Sequence, residues 1–135
     1  MNQKIEEIQL DRDAEYMGDS HKAYFRQKLQ SWKQQLMEEV DRTVEHMKSD
    51  AANHADPNDR ATQEEEFSLE LRTRDRERKL IKKIDASLRD IENDEYGYCE
   101  TCGIEIGVDR LDARPTADQC IDCKSVAELR EKQGL

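Results

Sequence analysis

The sequence predicts a mainly α-helical protein, a long antiparallel coiled-coil helical hairpin joined to a C4 zinc-finger module and a C-terminal helix. Three observations carry that expectation. Charged residues make up 40% of the 135 positions against 35% hydrophobic and 5% aromatic, which is too little apolar surface for a thick globular core but enough for stripes along helices. Glycine (5) and proline (2) are scarce, which removes the punctuation an all-β fold needs. The 4 cysteines stand as two Cys-x-x-Cys pairs late in the chain. The organisation expected from these features is an N-terminal segment over residues 1–18, a hairpin over 19–93 with its tip at 54–61, a zinc finger over 94–123 and a terminal helix over 124–135.

Residues 1–18 carry Glu6, Glu7, Asp11, Asp13 and Glu15 against Lys4 and Arg12, with Ile5, Ile8 and Leu10 as the main apolar content. They read as a loosely held segment of a helical turn or two ending near Gly18, with apolar residues able to dock on the base of the hairpin. Asp19 or Ser20 then suits the N-cap of the first long helix. From there Phe25, Leu29, Trp32, Leu36, Val40, Val44 and Met47 trace one continuous stripe along a helix. A stripe of this kind is a packing surface and needs a partner helix.

The break between the two arms is His54-Ala-Asp-Pro-Asn-Asp-Arg-Ala61. Asp56 followed by Pro57 is a helix start signal, because a carboxylate caps free N–H groups and proline suits the first helical position. Asp59 adds a second carboxylate at the positive end of the helix dipole. Capping alone accounts for both acids; the sharper reading is that acids held at the end of a long hairpin are there to be inserted into a partner. The second arm runs from 57 to about 93 with Phe67, Leu71, Ile81, Ile84, Leu88 and Ile91 as its stripe. Folding about residue 55 places Phe67 beside Val44, Leu71 beside Val40, Ile84 near Leu29 and Leu88 near Phe25. Arms of about 35 residues would each be on the order of 50 Å long at the rise of an α-helix. The stripe fades over Arg72-Thr-Arg-Asp-Arg-Glu-Arg-Lys79, which reads either as a solvated face of alternating charge or as a basic binding flank.

Cys99-Glu-Thr-Cys102 is separated by 17 residues from Cys120-Ile-Asp-Cys123. Each pair forms a tight knuckle, and two knuckles supply four thiolates to one tetrahedral zinc. Gly103 relaxes the backbone where the first knuckle turns. A redox Cys-x-x-Cys pair is the competing reading, but it belongs in a strand and helix alternation that this chain lacks. Four saturating ligands describe a structural site, with sensitivity to thiol oxidation as a secondary possibility. His21, His46 and His54 show no ligand spacing and read as surface residues. The zinc module is expected to pin the base of the hairpin to a C-terminal helix running from about Cys120 past Val126 and Leu129 to near Gly134.

Charge limits the function classes. A formal net charge of -10 disfavours unaided binding to nucleic acid, and the loop between the knuckles, with Glu105, Asp109, Asp112 and Asp118 against Arg110 and Arg114, is no phosphate surface. No run approaches the roughly 20 apolar residues that span a bilayer, and the first ten residues lack the pattern of a secretory signal. The expectation is a cytoplasmic monomer that acts on a protein partner, with neither sequence-specific DNA binding nor membrane attachment, and that is not an enzyme.

Longer runs carry a family resemblance. Asp56-Pro-Asn-Asp59-Arg-Ala61, Gln63-Glu-Glu-Glu-Phe-Ser-Leu-Glu-Leu-Arg72, Arg74-Asp-Arg-Glu-Arg-Lys-Leu-Ile-Lys-Lys-Ile84 and the Tyr98-Cys to Cys123-Lys segment with Ala113-Arg-Pro-Thr-Ala-Asp118 resemble the bacterial DksA/TraR transcription factors from about Glu15 onward. The resemblance implies a hairpin whose tip enters the secondary channel of RNA polymerase and alters promoter complexes. It also implies co-regulation by guanosine tetraphosphate (ppGpp) in the stringent response, with repression of ribosomal RNA promoters and activation of some biosynthetic promoters. By position it implies that Asp56, Asp59 and Ala61 act on the polymerase and that Arg76 serves polymerase binding. Leu80, Lys83, Arg114 and Lys124 would line the ppGpp site. The N-terminal segment matches poorly, while the presence of all four cysteines separates the chain from cysteine-poor, zinc-independent paralogues. A transcript-cleavage or anti-backtracking factor, which reaches the same channel with an acidic tip, is the alternative reading.

Overall fold

Between Gly18 and Gly97 the chain has no glycine and a single proline, Pro57, so the sequence carries no other strong helix breaker along either arm. The computed structural model describes residues 7–51 and 57–134, without the side chains of 50, 51 and 57–59. Helix α1 spans Asp19–Ala51 and helix α2 spans Pro57–Glu92. Two short helices follow, α3 at Val108–Ala113 and α4 at Ile121–Lys132. The single strand-like pairing among the described residues is an isolated antiparallel bridge between Tyr98 and Glu105. The long helices pack as a hairpin, as their stripes require.

The chain divides into two compact units, one built from residues up to Gln30 together with those from Ile84 onward, the other from Ser31–Lys83. In the first, α1 and α2 bury Phe25, Leu29, Ile84 and Ile91, and the zinc module adds Tyr96 and Leu111 to the same core. Aromatic rings knit it further, with Phe25 lying 5.0 Å from Tyr24 and 5.6 Å from Tyr96 between centroids. Exposed ion pairs flank it, Arg26 with Glu92 at 3.0 Å and Lys22 with Asp94. The start of α1 differs from expectation. The Lys22 N–H bonds the carbonyl of Gly18 at 3.0 Å, so Gly18 is the residue at the cap position, and Asp19 and Ser20 lie in the first turn. Helix α2 is closed two residues past its end by Asp94 in the left-handed region (φ 59), with the N–H groups of Glu95 and Tyr96 both turned back on the Asp90 carbonyl.

In the second unit Leu36 and Val40 are buried on α1, but the facing seam of α2 is not the apolar stripe that the sequence suggests. Leu71 is 41% exposed. The half-buried positions are Gln63, Phe67, Glu70, Arg74, Glu77, Leu80 and Ile81; from Gln63 to Glu77 and on to Ile81 the steps are four and three, which keeps the 3.5-residue repeat of a coiled coil. Leu71 stands four residues past Phe67 where the seam needs a step of three, so Glu70 takes the place expected of Leu71. Gln63 Nε2, Glu70 Oε2, Arg74 Nε and Glu77 Oε2 are buried there without a protein hydrogen-bond partner among the described residues. The other Glu70 carboxylate oxygen meets His46 Nδ1 at 3.2 Å. The charged run is thus divided: Arg74 and Glu77 belong to the seam, while Arg72, Asp75, Arg76, Arg78 and Lys79 are exposed.

Candidate metal centre and the surface around it

The first knuckle is shaped by backbone hydrogen bonds. Cys99 N–H donates to Ile104 O and Gly103 N–H to Cys99 O, both at 2.8 Å, and Ile106 N–H reaches Gly97 O at 2.9 Å. Gly103 sits at φ 79, the left-handed turn its position suggested. The second knuckle is the start of a helix. Cys120 is the N-cap of α4, its Sγ accepting from Cys123 N–H at 3.4 Å, so one sulfur serves both as helix cap and as candidate metal ligand. The knuckles are tied together by Glu100 N–H to Asp118 O at 2.8 Å.

These elements bring the four sulfurs of Cys99, Cys102, Cys120 and Cys123 within 4.8 Å of one another. Zinc thiolate bonds of about 2.3 Å in a tetrahedron put sulfurs about 3.8 Å apart, and Cys102 and Cys120 are separated by 3.8 Å. Backbone N–H groups of Cys120, Cys102 and Thr101 hold the Cys99 thiol down to about 6, whereas the adjoining sulfurs of Cys120 and Cys102 push Cys123 up to about 12. Four sulfurs packed this closely do not all ionise unless a cation sits among them. The donor set fits one structural zinc, held by all four cysteines with no position left open for catalysis.

An N-terminal strap closes over this module. Tyr16 Oη donates to Gly97 O at 2.6 Å and accepts from Gly107 N–H at 3.0 Å, and its ring stands edge-on to Tyr98 at 5.8 Å. His21 was expected at the surface; it is 1% exposed. Its Nδ1 accepts from Met17 N–H at 3.1 Å and its Nε2 lies 2.7 Å from Asp11 O, which fits a neutral ring protonated at Nε2. The reason is positional, because His21 falls four residues before Phe25 on the buried stripe of α1. Gly97, at φ 94, faces Met17 so closely that a Cβ there would lie 2.7 Å from Met17 Cγ. The strap is therefore held by polar groups and Met17; Ile8 stays 41% exposed, no helix forms over residues 7–18, and Ile5 lies outside the described residues.

Two of the four acids between the knuckles are committed to partners. Asp109 pairs with Arg12 at 2.9 Å. Asp112 Oδ1 takes Lys28 Nζ at 2.6 Å and the Tyr24 hydroxyl, while Lys28 also donates to the Asp112 carbonyl at 2.6 Å. Lys28 and then Tyr24 hold the Asp112 carboxyl below the usual carboxylate range. Arg114 is exposed at the C-cap of α3, and Lys124 is half-buried in the first turn of α4. Helix α4 buries no residue; Ile121, Val126 and Leu129 are 59%, 50% and 56% exposed, so its attachment is through its cysteine cap.

On α2, Ala61, Arg76 and Lys83 are exposed and Leu80 is half-buried. Asp59 lies in the first turn of α2 with its side chain outside the described residues, and Asp56 and His54 lie outside them altogether. His46, with its Glu70 partner, is at the surface as expected.

Comparison with known proteins separates the hairpin from the zinc module. The N-terminal domain of DnaK suppressor protein DksA matches residues 21–91, and the prokaryotic dksA/traR C4-type zinc finger matches residues 94–129. The chain belongs to the DksA family. Among DksA proteins, the RNA polymerase-binding transcription factor DksA of Escherichia coli is 61% identical over 129 residues, covering 96% of this chain and 85% of the relative. The protein of the same name from Haemophilus influenzae is 57% identical, covering 96% and 89%. The structure of transcription factor DksA2 from Pseudomonas aeruginosa superposes with a TM-score of 0.82 at 35% identity, over 89% of this chain and 92% of that one. These DksA relatives are named as transcription factors and not as enzymes. No helix among the described residues is long and apolar enough to cross a membrane.

Proposed function

We propose that this chain is a cytoplasmic, non-enzymatic transcription regulator that binds RNA polymerase as a monomer, without sequence-specific DNA contacts, by placing the 54–61 end of its hairpin in the enzyme's secondary channel. With ppGpp it destabilises promoter open complexes, repressing ribosomal RNA promoters and activating some biosynthetic promoters. The observation that carries this reading is the 61% identity, across 96% of the chain, to a protein named for binding RNA polymerase. In this reading Asp56, Asp59 and Ala61 act at the polymerase centre and Arg76 anchors the hairpin. Leu80, Lys83, Arg114 and Lys124 contact the effector. The chemistry is suited to the task, since a lysine or arginine with its head in solvent meets phosphate oxygens without first breaking a buried pair, and Arg76, Lys83 and Arg114 are exposed. The zinc serves structure only.

The deciding experiment is the lifetime of open complexes at a ribosomal RNA promoter with the cognate polymerase. The protein should shorten it, and ppGpp should shorten it further; Asp59→Asn should abolish the effect while leaving polymerase binding nearly intact. An unchanged lifetime together with cleavage of backtracked RNA would favour the cleavage-factor reading, for which the acidic residues 56 and 59 are the supporting feature.

A further inference from the structure

Arg114 combines an exposed side chain with a main chain that is fastened on every side. Its N–H bonds Arg110 O at 2.8 Å and its carbonyl accepts from Ala117 N–H at 3.0 Å. Two residues earlier, Asp112 is gripped from α1 through both its carboxylate and its carbonyl by Lys28, and through its carboxylate by Tyr24. One residue later, Pro115 is buried and its carbonyl accepts the Tyr96 hydroxyl at 2.6 Å. Tyr96 is itself packed on Phe25 of α1. The end of α3 is thus fastened to α1 two residues before the arginine and, one residue after it, to Tyr96, which packs on α1. A surface loop needs no such arrangement for its own stability, whereas a guanidinium that must present its planar fork to phosphate oxygens gains from a fixed origin.

We propose that Lys28, with Tyr24 and Tyr96, positions Arg114 for the phosphates of the effector, acting through Asp112 and Pro115 without touching the nucleotide. The inference rests on the reading of Arg114 as an effector contact. Lys28 is the informative member because one ammonium donates to two acceptors of Asp112, so its loss frees side chain and main chain together. Asp112 held in its charged form by Lys28 and Tyr24 is consistent with a bond that persists at neutral pH.

The test is the ppGpp concentration that gives half the maximal shortening of open-complex lifetime, measured with the intact protein and polymerase. Lys28→Met combined with Tyr24→Phe should raise that concentration by about 10-fold, while the shortening seen without nucleotide stays unchanged. Lys28→Arg, which still donates twice, should restore most of the response. An unchanged nucleotide dependence in the double variant would overturn the positioning role, and so would equal loss with and without nucleotide, which marks a purely structural contact. Arg114→Ala run alongside separates the two levels: if it leaves the nucleotide dependence intact, the effector reading of Arg114 fails first, and the positioning role with it.

Discussion

His21 shows how a single ring can organise a segment that has no secondary structure of its own. Buried beneath residues 11–17, it accepts from the Met17 N–H, which would otherwise be sealed from water unpaired, and adds a second bond to the Asp11 carbonyl, which also accepts from Ala14 N–H. His21→Ala should therefore cost about 1–3 kcal/mol in chemical denaturation, the cost of one orphaned buried N–H, and amide exchange at Met17 should accelerate more than exchange in α1. A loss under 1 kcal/mol would mean that the strap contributes nothing to stability. At this scale legibility was uneven. The four cysteines were readable because a metal imposes its geometry on sequence spacing. The burial of His21 carried a signal, its place one helical step before Phe25, which a search for ligand spacing passes over. The Lys28 and Asp112 pair carried none, since residues 84 apart meet only once the zinc module has folded onto α1.

At the scale of elements, both long helices were legible from composition and the 3.5 to 3.6 residue period, and α2 opens on Pro57 as the helix start signal requires. The α2 seam was not, because polar residues at coiled-coil core positions leave no mark in a hydrophobic pattern. Only the heptad spacing from Phe67 through Arg74 to Ile81 shows that the seam continues through the charged run. Buried ionic groups of this kind contribute specificity of register more readily than stability. Replacing Glu70, Arg74 and Glu77 together by leucine should raise the thermal midpoint, with a gain of about 1–4 kcal/mol in analogous replacements. Arg74→Ala alone should lower it, because it removes the one positive charge among the described residues of the α2 seam, which keeps the Glu70 and Glu77 carboxylates. A triple variant less stable than the parent would show that the seam is held by a network stronger than hydrophobic packing.

At the scale of the whole molecule, the zinc module and the strap belong to one unit and the middle of the hairpin to another, so loss of metal should be felt unequally. Chelation at neutral pH should melt α4, whose cap is itself a ligand, and abolish the near-ultraviolet signal of Tyr96 and Tyr98. Most far-ultraviolet helix signal, which comes from the 33 and 36 residues of α1 and α2, should remain. Complete collapse of the helix signal would sink this division. The unit boundary was not legible beforehand, because neither long helix is interrupted where it falls.

The first unit is discontinuous in sequence, and that has a bearing on how the chain is made. Phe25 and Leu29 leave the ribosome early, but the residues that share their core, Ile84, Ile91 and Tyr96, emerge more than fifty positions later. At about 5–20 residues per second the wait is on the order of several seconds. The contiguous Ser31–Lys83 unit is complete one residue before Ile84 emerges, so it can close while Ile91 and Tyr96 are still to come. Synthesis would then run from the middle of the hairpin outward, with the nascent Phe25 and Leu29 surface open to chaperones until the zinc ligands arrive.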